Sequence, residues 1–266
     1  MLSYQHMYHA GGLADVHKHV LLARALAHLV KDPAPLLFVD THAGRGRYYL
    51  DHPAAAKTGE AQNGIMRLLR ERSIARDEPF LGALRAVQAG NKRLYPGSPL
   101  LAATMLRPQD RLWLWELHPR EHGWLKQAFA GDGRVSVRQA DGLSGLGLMT
   151  PPKPPNPQKG LVLIDPSYEV KAEYDGLPAF VARLRRRWPE AAGMVWYPML
   201  PARRHEAMRD AMQAEHGDLA VNEYVWADPG SGRGLFGSGL AYWGLDDAGL
   251  GMPCFPSLSV GKGASA

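Results

Sequence analysis

Seven short β-prone runs punctuate this chain, and helix-forming segments separate most of them, the pattern of βαβ units around a mainly parallel sheet. The runs are LLFVD (36–40), RLWLWE (111–116), RVSVRQA (134–140), LVLID (161–165), GMVWYP (193–198), LAVNEYVW (219–226) and GLAYWGL (239–245). Helical composition fills 14–30, 60–72, 77–93, 99–106, 120–129, 173–187 and 202–216. The first of these carries Val16, Val20, Leu21, Ala27 and Val30 at helical spacing, with Asp15 near its start and Pro33 beyond its end, and reads as an amphipathic helix. The expectation is an α/β fold with a mostly single core, because 266 residues hold one large domain or a domain with an insertion.

Composition excludes several other classes. Hydrophobic residues at 45% and charged residues at 21% are those of a folded globular chain rather than a disordered one, and Gly 29 with Pro 21 signals many tight connections. No run approaches 18 apolar residues, and MLSYQHMYHAGG lacks the basic start and apolar core of a signal peptide, so neither membrane nor export is expected. Cys254 stands alone, which excludes an internal disulfide or a Cys-rich zinc module and makes the cytoplasm the expected compartment. The net charge of +5 favours an anionic partner such as nucleic acid. His6, His9, His17, His19 and His42 invite a metal reading, but His17 and His19 lie two apart on a helix and face different ways, so no metal is expected.

In open parallel sheets ligands sit outside the carboxyl ends of the strands. Those ends carry acids in series: Asp40 before Thr41-His42-Ala43-Gly44-Arg45-Gly46, then Glu116, Asp141-Gly142, and Asp165-Pro166-Ser167-Tyr168. The glycines, Gly44 among them, let the backbone approach a ligand, and a carboxylate at Glu116 can accept hydrogen bonds from two ribose hydroxyls. In dinucleotide enzymes that acid lies about 20 residues past the glycines; here it lies 70 past Gly46, so the helical stretch around 50–98 reads as an insertion. Together the strand ends suggest a nucleoside-bearing cofactor.

The arrangement resembles the class I S-adenosylmethionine-dependent methyltransferases, and Asp165-Pro166-Ser167-Tyr168 resembles the Asp/Asn-Pro-Pro-Tyr/Phe motif of amino-directed nucleic-acid methyltransferases. With MLSYQHMYHAGGLADVHKHV, DTHAGRGRY, YPGSPLLA, ELHP, ADG and LIDPSYE in collinear order to about residue 200, the chain is similar to the bacterial 23S rRNA adenine-N6 methyltransferases that modify adenine 2030. The resemblance implies a Rossmann-like core at 1–49 and 99–250, a helical subdomain inserted at 50–98 and an irregular tail at 251–266. It implies S-adenosylmethionine bound by Lys18, His19, His42, Ser98, Glu116, Asp141, Gly142 and Asp165, with Asp165 catalytic and Tyr4 near the substrate. The expected partner is 23S rRNA, the expected state a monomer. Because the Asp-Pro-x-Tyr chemistry is indifferent to the sugar, a DNA adenine-N6 methyltransferase is one alternative reading; family proteins have also been connected with the use of external DNA, and a noncatalytic nucleic-acid-binding protein serving that use is the other.

The chemistry stands beside the resemblance. An exocyclic adenine amine is a poor nucleophile, because its lone pair is delocalised, and needs orientation and acceptors for its hydrogens. Asp165 and the C=O of Pro166 suit that role, and Tyr168 could stack on a flipped-out base. The sulfonium brings its own leaving group, so the reaction requires no metal. Two departures stand out: Ser167 replaces the second proline, and the end of the chain lacks the family's Pro-Pro-Trp and closing helix. Arg183, Arg185, Arg186, Arg187, Arg203 and Arg204 read as phosphate contacts or as a solvated face, and Trp113 and Trp115 as core.

Overall fold

A computed structural model of the chain describes residues 6–149, 152–228 and 234–255. Helix α1 (Leu13–Leu29) leads into β1 (Leu36–Asp40), buried along its whole length. A short strand β2 (Arg47–Tyr49) follows the glycine turn, then α2 (Pro53–Thr58), a π-type turn at Gln62–Met66, α3 (Arg67–Arg70), α4 (Pro79–Val87) and β3 (Leu94–Pro96). From there strands and helices alternate: α5 (Ser98–Met105), β4 (Arg111–Trp115), α6 (Pro119–Ala128), β5 (Val135–Arg138), α7 (Gly142–Met149), β6 (Lys159–Ile164), α8 (Lys171–Arg187), β7 (Ala191–Met199) and α9 (Arg204–Glu215). Two further strands, β8 (Ala220–Val225) and β9 (Gly237–Trp243), end the sheet.

The sheet runs β5-β4-β1-β6-β7-β9-β8, with β9 antiparallel to both its neighbours and every other pairing parallel. Helices cover both faces, so the strands are apolar on both sides. Phe38 joins the core on one side while Leu37 and Val39 join the core on the other. Trp113 and Trp115 are buried in that second core, as their alternation with leucines suggests. The order reverses at β1, which pairs with β4 on one edge and β6 on the other, so the crevice at its carboxyl end is where a ligand site belongs.

Three local expectations need correction. Helix α1 is not an amphipathic surface helix: Asp15 through Ala23 are all buried, because α4 and α5 pack along one flank and β9 along another. The helix expected over 60–72 is broken by the π-type turn, where Gly64 meets α1's leading loop so closely that a Cβ would lie 2.1 Å from the Gly11 carbonyl oxygen. The helix expected over 77–93 ends at Val87, and the chain then returns to pair β3 with β2, bringing the two ends of the 50–98 segment together. Among the described residues no helix is long and apolar enough to cross a membrane.

Candidate active site

A cavity opens at the switch point, over the carboxyl ends of β1, β4 and β6. The turn after β1 forms its floor. Gly44 has φ +59°, a conformation that favours glycine, and a Cβ there would lie 2.5 Å from the Tyr48 hydroxyl. Gly142, opening α7, sits even closer to β1: its Cβ would fall 2.0 Å from the carbonyl oxygen of Thr41. Gly44 is kept bare of a side chain by the Tyr48 hydroxyl and Gly142 by the Thr41 backbone, and both glycines line the cavity.

Glu116 follows β4 and closes one side. Its Oε2 accepts the Gly44 N–H at 2.8 Å and its Oε1 the His118 N–H at 2.7 Å, so one carboxylate ties the glycine turn to the start of α6. Burial raises its pKa despite those two bonds. Arg45 pairs with Glu121 of α6, Nε to Oε2 at 2.7 Å, and holds the same turn from outside. Asp141 caps α7, with Oδ1 accepting the Ser144 N–H at 2.7 Å.

The other side is built by charges from α1. Lys18 Nζ lies 2.6 Å from Asp165 Oδ2 and 3.2 Å from Asp15 Oδ1. His6 Nε2 and His19 Nε2 also approach Asp15 Oδ1, at 3.2 and 3.5 Å, and the Gly11 N–H donates to Oδ2. Burial alone would push the Asp15 carboxyl up, but His19, His6 and Lys18 around it hold its pKa well below the usual range. Burial drives His19 itself down to about 3, so at neutral pH the countercharge comes from Lys18. His19 Nδ1 is 3.0 Å from the Tyr95 hydroxyl, while His17 faces away to Ser238 and Asn222.

Asp40 lies beneath the floor, fully buried, with Oδ2 accepting the Ser98 hydroxyl at 2.6 Å and Oδ1 the His42 N–H at 3.1 Å. Burial pushes its pKa to about 7; the Ser98 and His42 bonds and Lys18 oppose the rise, and the nearby Asp165 charge adds to it. The folded pKa lies above the unfolded value of about 3.9, so the folded state holds an extra proton between those values and stability declines as pH rises through about 7. Asp40→Asn is therefore expected to raise the melting temperature relative to wild type at about pH 8 and to leave it nearly unchanged at about pH 4. Equal shifts at the two pH values, read by calorimetry, contradict this.

Of the residues singled out in the sequence, Lys18, His19, His42, Gly44, Ser98, Glu116, Asp141, Gly142, Asp165 and Pro166 all line this one cavity. Tyr168 does not: φ +57° turns it back under the loop, where it is 8% exposed, packs on Tyr174 and Trp196, and donates its hydroxyl to the Trp196 carbonyl at 2.5 Å. Tyr4 lies outside the described residues. Sequence reasoning missed Asp15, Glu121 and Glu173. The signal for Asp15 was its i,i+3 spacing to Lys18, and for Glu173 its place in the first turn of a helix. The arginine cluster is largely engaged with the protein: Arg185 pairs with Asp218, Arg186 with Glu215 and Arg203 with Glu206, and Arg187 donates to Gly147 O. Among the described residues no group of three or more His, Cys, Asp or Glu is placed to hold a metal ion.

A mainly parallel seven-stranded sheet in this order, with a cavity at its switch point walled by strand-end acids, is the Rossmann-like fold of class I methyltransferases. Comparison with known proteins narrows that class: the model of the family described as Ribosomal RNA large subunit methyltransferase D, RlmJ, matches residues 33–244, and the chain belongs to this family of rRNA methyltransferases. It is 39% identical over 202 residues to Ribosomal RNA large subunit methyltransferase J of Escherichia coli strain K12, covering 75% of this chain and 71% of the relative. The protein of the same name from Haemophilus influenzae is 38% identical over 203 residues, with the same coverage. A crystal structure of a Legionella pneumophila protein, 32% identical, superposes with a TM-score of 0.79 over 91% of both chains.

Proposed function

We propose that this chain transfers a methyl group from S-adenosylmethionine to the N6 amine of an adenine in 23S rRNA, adenine 2030 by family resemblance, releasing S-adenosylhomocysteine in the cytoplasm. The observation that carries the reading is one cavity in which Asp165 and Pro166, at the tip of β6, share walls with Glu116 and Asp141.

The residues suit a nucleoside cofactor. Gly44 and Gly142 both line the cavity, packed so closely on the Tyr48 hydroxyl and the Thr41 carbonyl that neither position could carry a Cβ, and each Glu116 oxygen accepts one N–H and keeps a lone pair for a ribose hydroxyl. Lys18, His19, His42, Ser98 and Asp141 complete the cofactor set by resemblance. S-adenosylmethionine, when bound, supplies an electrophilic methyl on its sulfonium. Lys18 engages Oδ2 of Asp165, leaving the other carboxylate oxygen to accept a hydrogen bond from the target amine, with the Pro166 carbonyl as the second acceptor. Holding both N–H bonds orients the nitrogen lone pair toward the methyl and gives the amine proton an acceptor as positive charge develops.

Glu116→Ala is expected to weaken S-adenosylmethionine binding by about 1.5 to 3 kcal/mol, since the ribose hydroxyls lose charged acceptors. Calorimetry showing unchanged affinity would remove Glu116 from the site. The 50–98 segment, proposed as an inserted subdomain beside the cavity mouth, exposes Arg70, Arg72 and Arg76 and supplies part of the RNA contact. The test of substrate class is methyl transfer to protein-free 23S rRNA set against adenine-containing DNA. Labelling of the rRNA alone supports the reading, and equal or better labelling of DNA favours the DNA enzyme.

A further inference from the structure

Lys18 reaches Asp165 on a flexible four-carbon stem, and a stem of that kind keeps one orientation only if a second contact fixes its end. Helix α1 supplies that contact. Asp15 lies one turn before Lys18, so that Lys18 Nζ stands between Asp15 Oδ1 at 3.2 Å and Asp165 Oδ2 at 2.6 Å. The Trp196 ring, its centroid 5.7 Å from Nζ, gives the ammonium a third neighbour.

Asp15 is itself held in place. Its Oδ2 accepts the Gly11 N–H at 3.0 Å, and the Gly11 carbonyl accepts the Ile65 N–H at 2.8 Å, so the anchor extends into the 50–98 segment. The other oxygen, Oδ1, meets Lys18 Nζ, His6 Nε2 and His19 Nε2 at ion-pair distance. Among the described residues none of these nitrogens is aligned as a directed hydrogen bond to Oδ1, so the attraction is one of charge. Charge acts strongly here because Asp15 and Lys18 are both buried. An acid in the first turn of a helix is ordinarily solvated and serves the helix terminus alone. This one is buried against the residue that carries an ammonium into the cavity, which Lys18 lines and Asp15 does not.

We propose that Asp15 is a positioning residue: fixed by the Gly11 N–H, its carboxylate aims the Lys18 ammonium at Oδ2 of Asp165 and so reserves Oδ1 of Asp165 for the target amine. It acts on the amine only through Lys18 and Asp165, and the inference therefore rests on the function proposed above. Sharing also moderates the pair, since an ammonium drawn to two carboxylates weakens Asp165 as an acceptor less than one paired to it alone.

Asp15→Asn keeps the side-chain volume and isolates the charge. The Gly11 N–H calls for the amide oxygen in the place of Oδ2, which turns the amide NH2 toward Lys18 and His6, donor against donor. In the full-length enzyme, kcat for 23S rRNA methylation is expected to fall on the order of ten- to a hundredfold, the size of effect that small misplacements of reacting groups produce. Cofactor Kd, read by calorimetry on the same preparation, is expected to change by no more than about threefold, a split that general unfolding would not give. In a Lys18→Met background the same substitution is expected to lower kcat by a much smaller factor, because the group it positions is gone. It is also expected to raise the melting temperature of Lys18→Met, since it removes one of the two carboxylates stranded there, and that comparison decides even if Asp15→Asn alone folds poorly. Wild-type kcat in Asp15→Asn, equal losses in the two backgrounds, or a further drop in melting temperature on Lys18→Met would each overturn the proposal. A wild-type enzyme that fails to methylate rRNA would instead overturn the underlying functional reading, while the melting comparison still decides whether Asp15 and Asp165 share the Lys18 ammonium.

Discussion

Asp165→Ala is expected to keep its fold and most of its cofactor affinity while losing methylation by about 10²- to 10⁴-fold, the range that a positioned acceptor contributes. Asp165 stands at the tip of β6, the strand whose partner β1 carries the glycine turn, and offers a carboxylate oxygen that Lys18 leaves open. Removing it takes away an acceptor for the amine while Glu116, Asp141 and the bare backbone at Gly142 remain. Lys18 keeps Asp15 as a counterion, so the variant does not strand a buried ammonium. Single-turnover methyl transfer and calorimetric cofactor binding, measured on one preparation, separate the two effects. Full activity would remove Asp165 from the chemistry.

Lys18→Met is expected to be the most damaging single change to stability, by about 3 to 5 kcal/mol at neutral pH, because it leaves two carboxylates in a desolvated site without their shared ammonium. The Lys18 side chain is 5% exposed and that of Asp15 3%, so water does not replace what is lost. The pH dependence has a definite sign. The folded pKa of Asp15 is depressed, so its stabilising contribution is present above the unfolded value of about 3.9 and disappears as pH falls through the folded one. The gap between Lys18→Met and wild type is therefore expected to be wide at about pH 7 and to shrink below about pH 4, where Asp15 no longer depends on the ammonium. Denaturant titrations showing a gap independent of pH would contradict that assignment of the charge.

The strand ends were legible because burial on both faces makes a parallel strand read as an apolar run, and the acid that interrupts it marks the tip; Asp40 and Asp165 are both visible this way in LLFVD and LVLID. The three-residue pair β2 and β3 was not, since Tyr48 and Tyr95 sit among Gly and Pro that read only as punctuation. Helix α7 was missed for a related reason: GLSGLGLM is poor in helix formers, and tertiary contact at Gly142 and the Asp141 cap impose the helix instead. The buried charges of α1 carry a different lesson. A charge on a helix is normally solvated, and only the packing of α4, α5 and β9 around α1 converts Asp15 and Lys18 into part of a site. Tyr168 shows the same limit at the level of one dihedral, because a positive φ sends toward the core a ring that an extended loop would have offered to a base.

The most direct measurement of the central claim is transfer of tritiated methyl from S-adenosylmethionine to 23S rRNA taken from cells that lack the modification, followed by mapping of the labelled nucleotide. The expected result is label at the N6 position of a single adenine, dependent on Asp165. Label on a ring nitrogen, on a ribose or on another base, or label that persists in Asp165→Ala, would contradict the account.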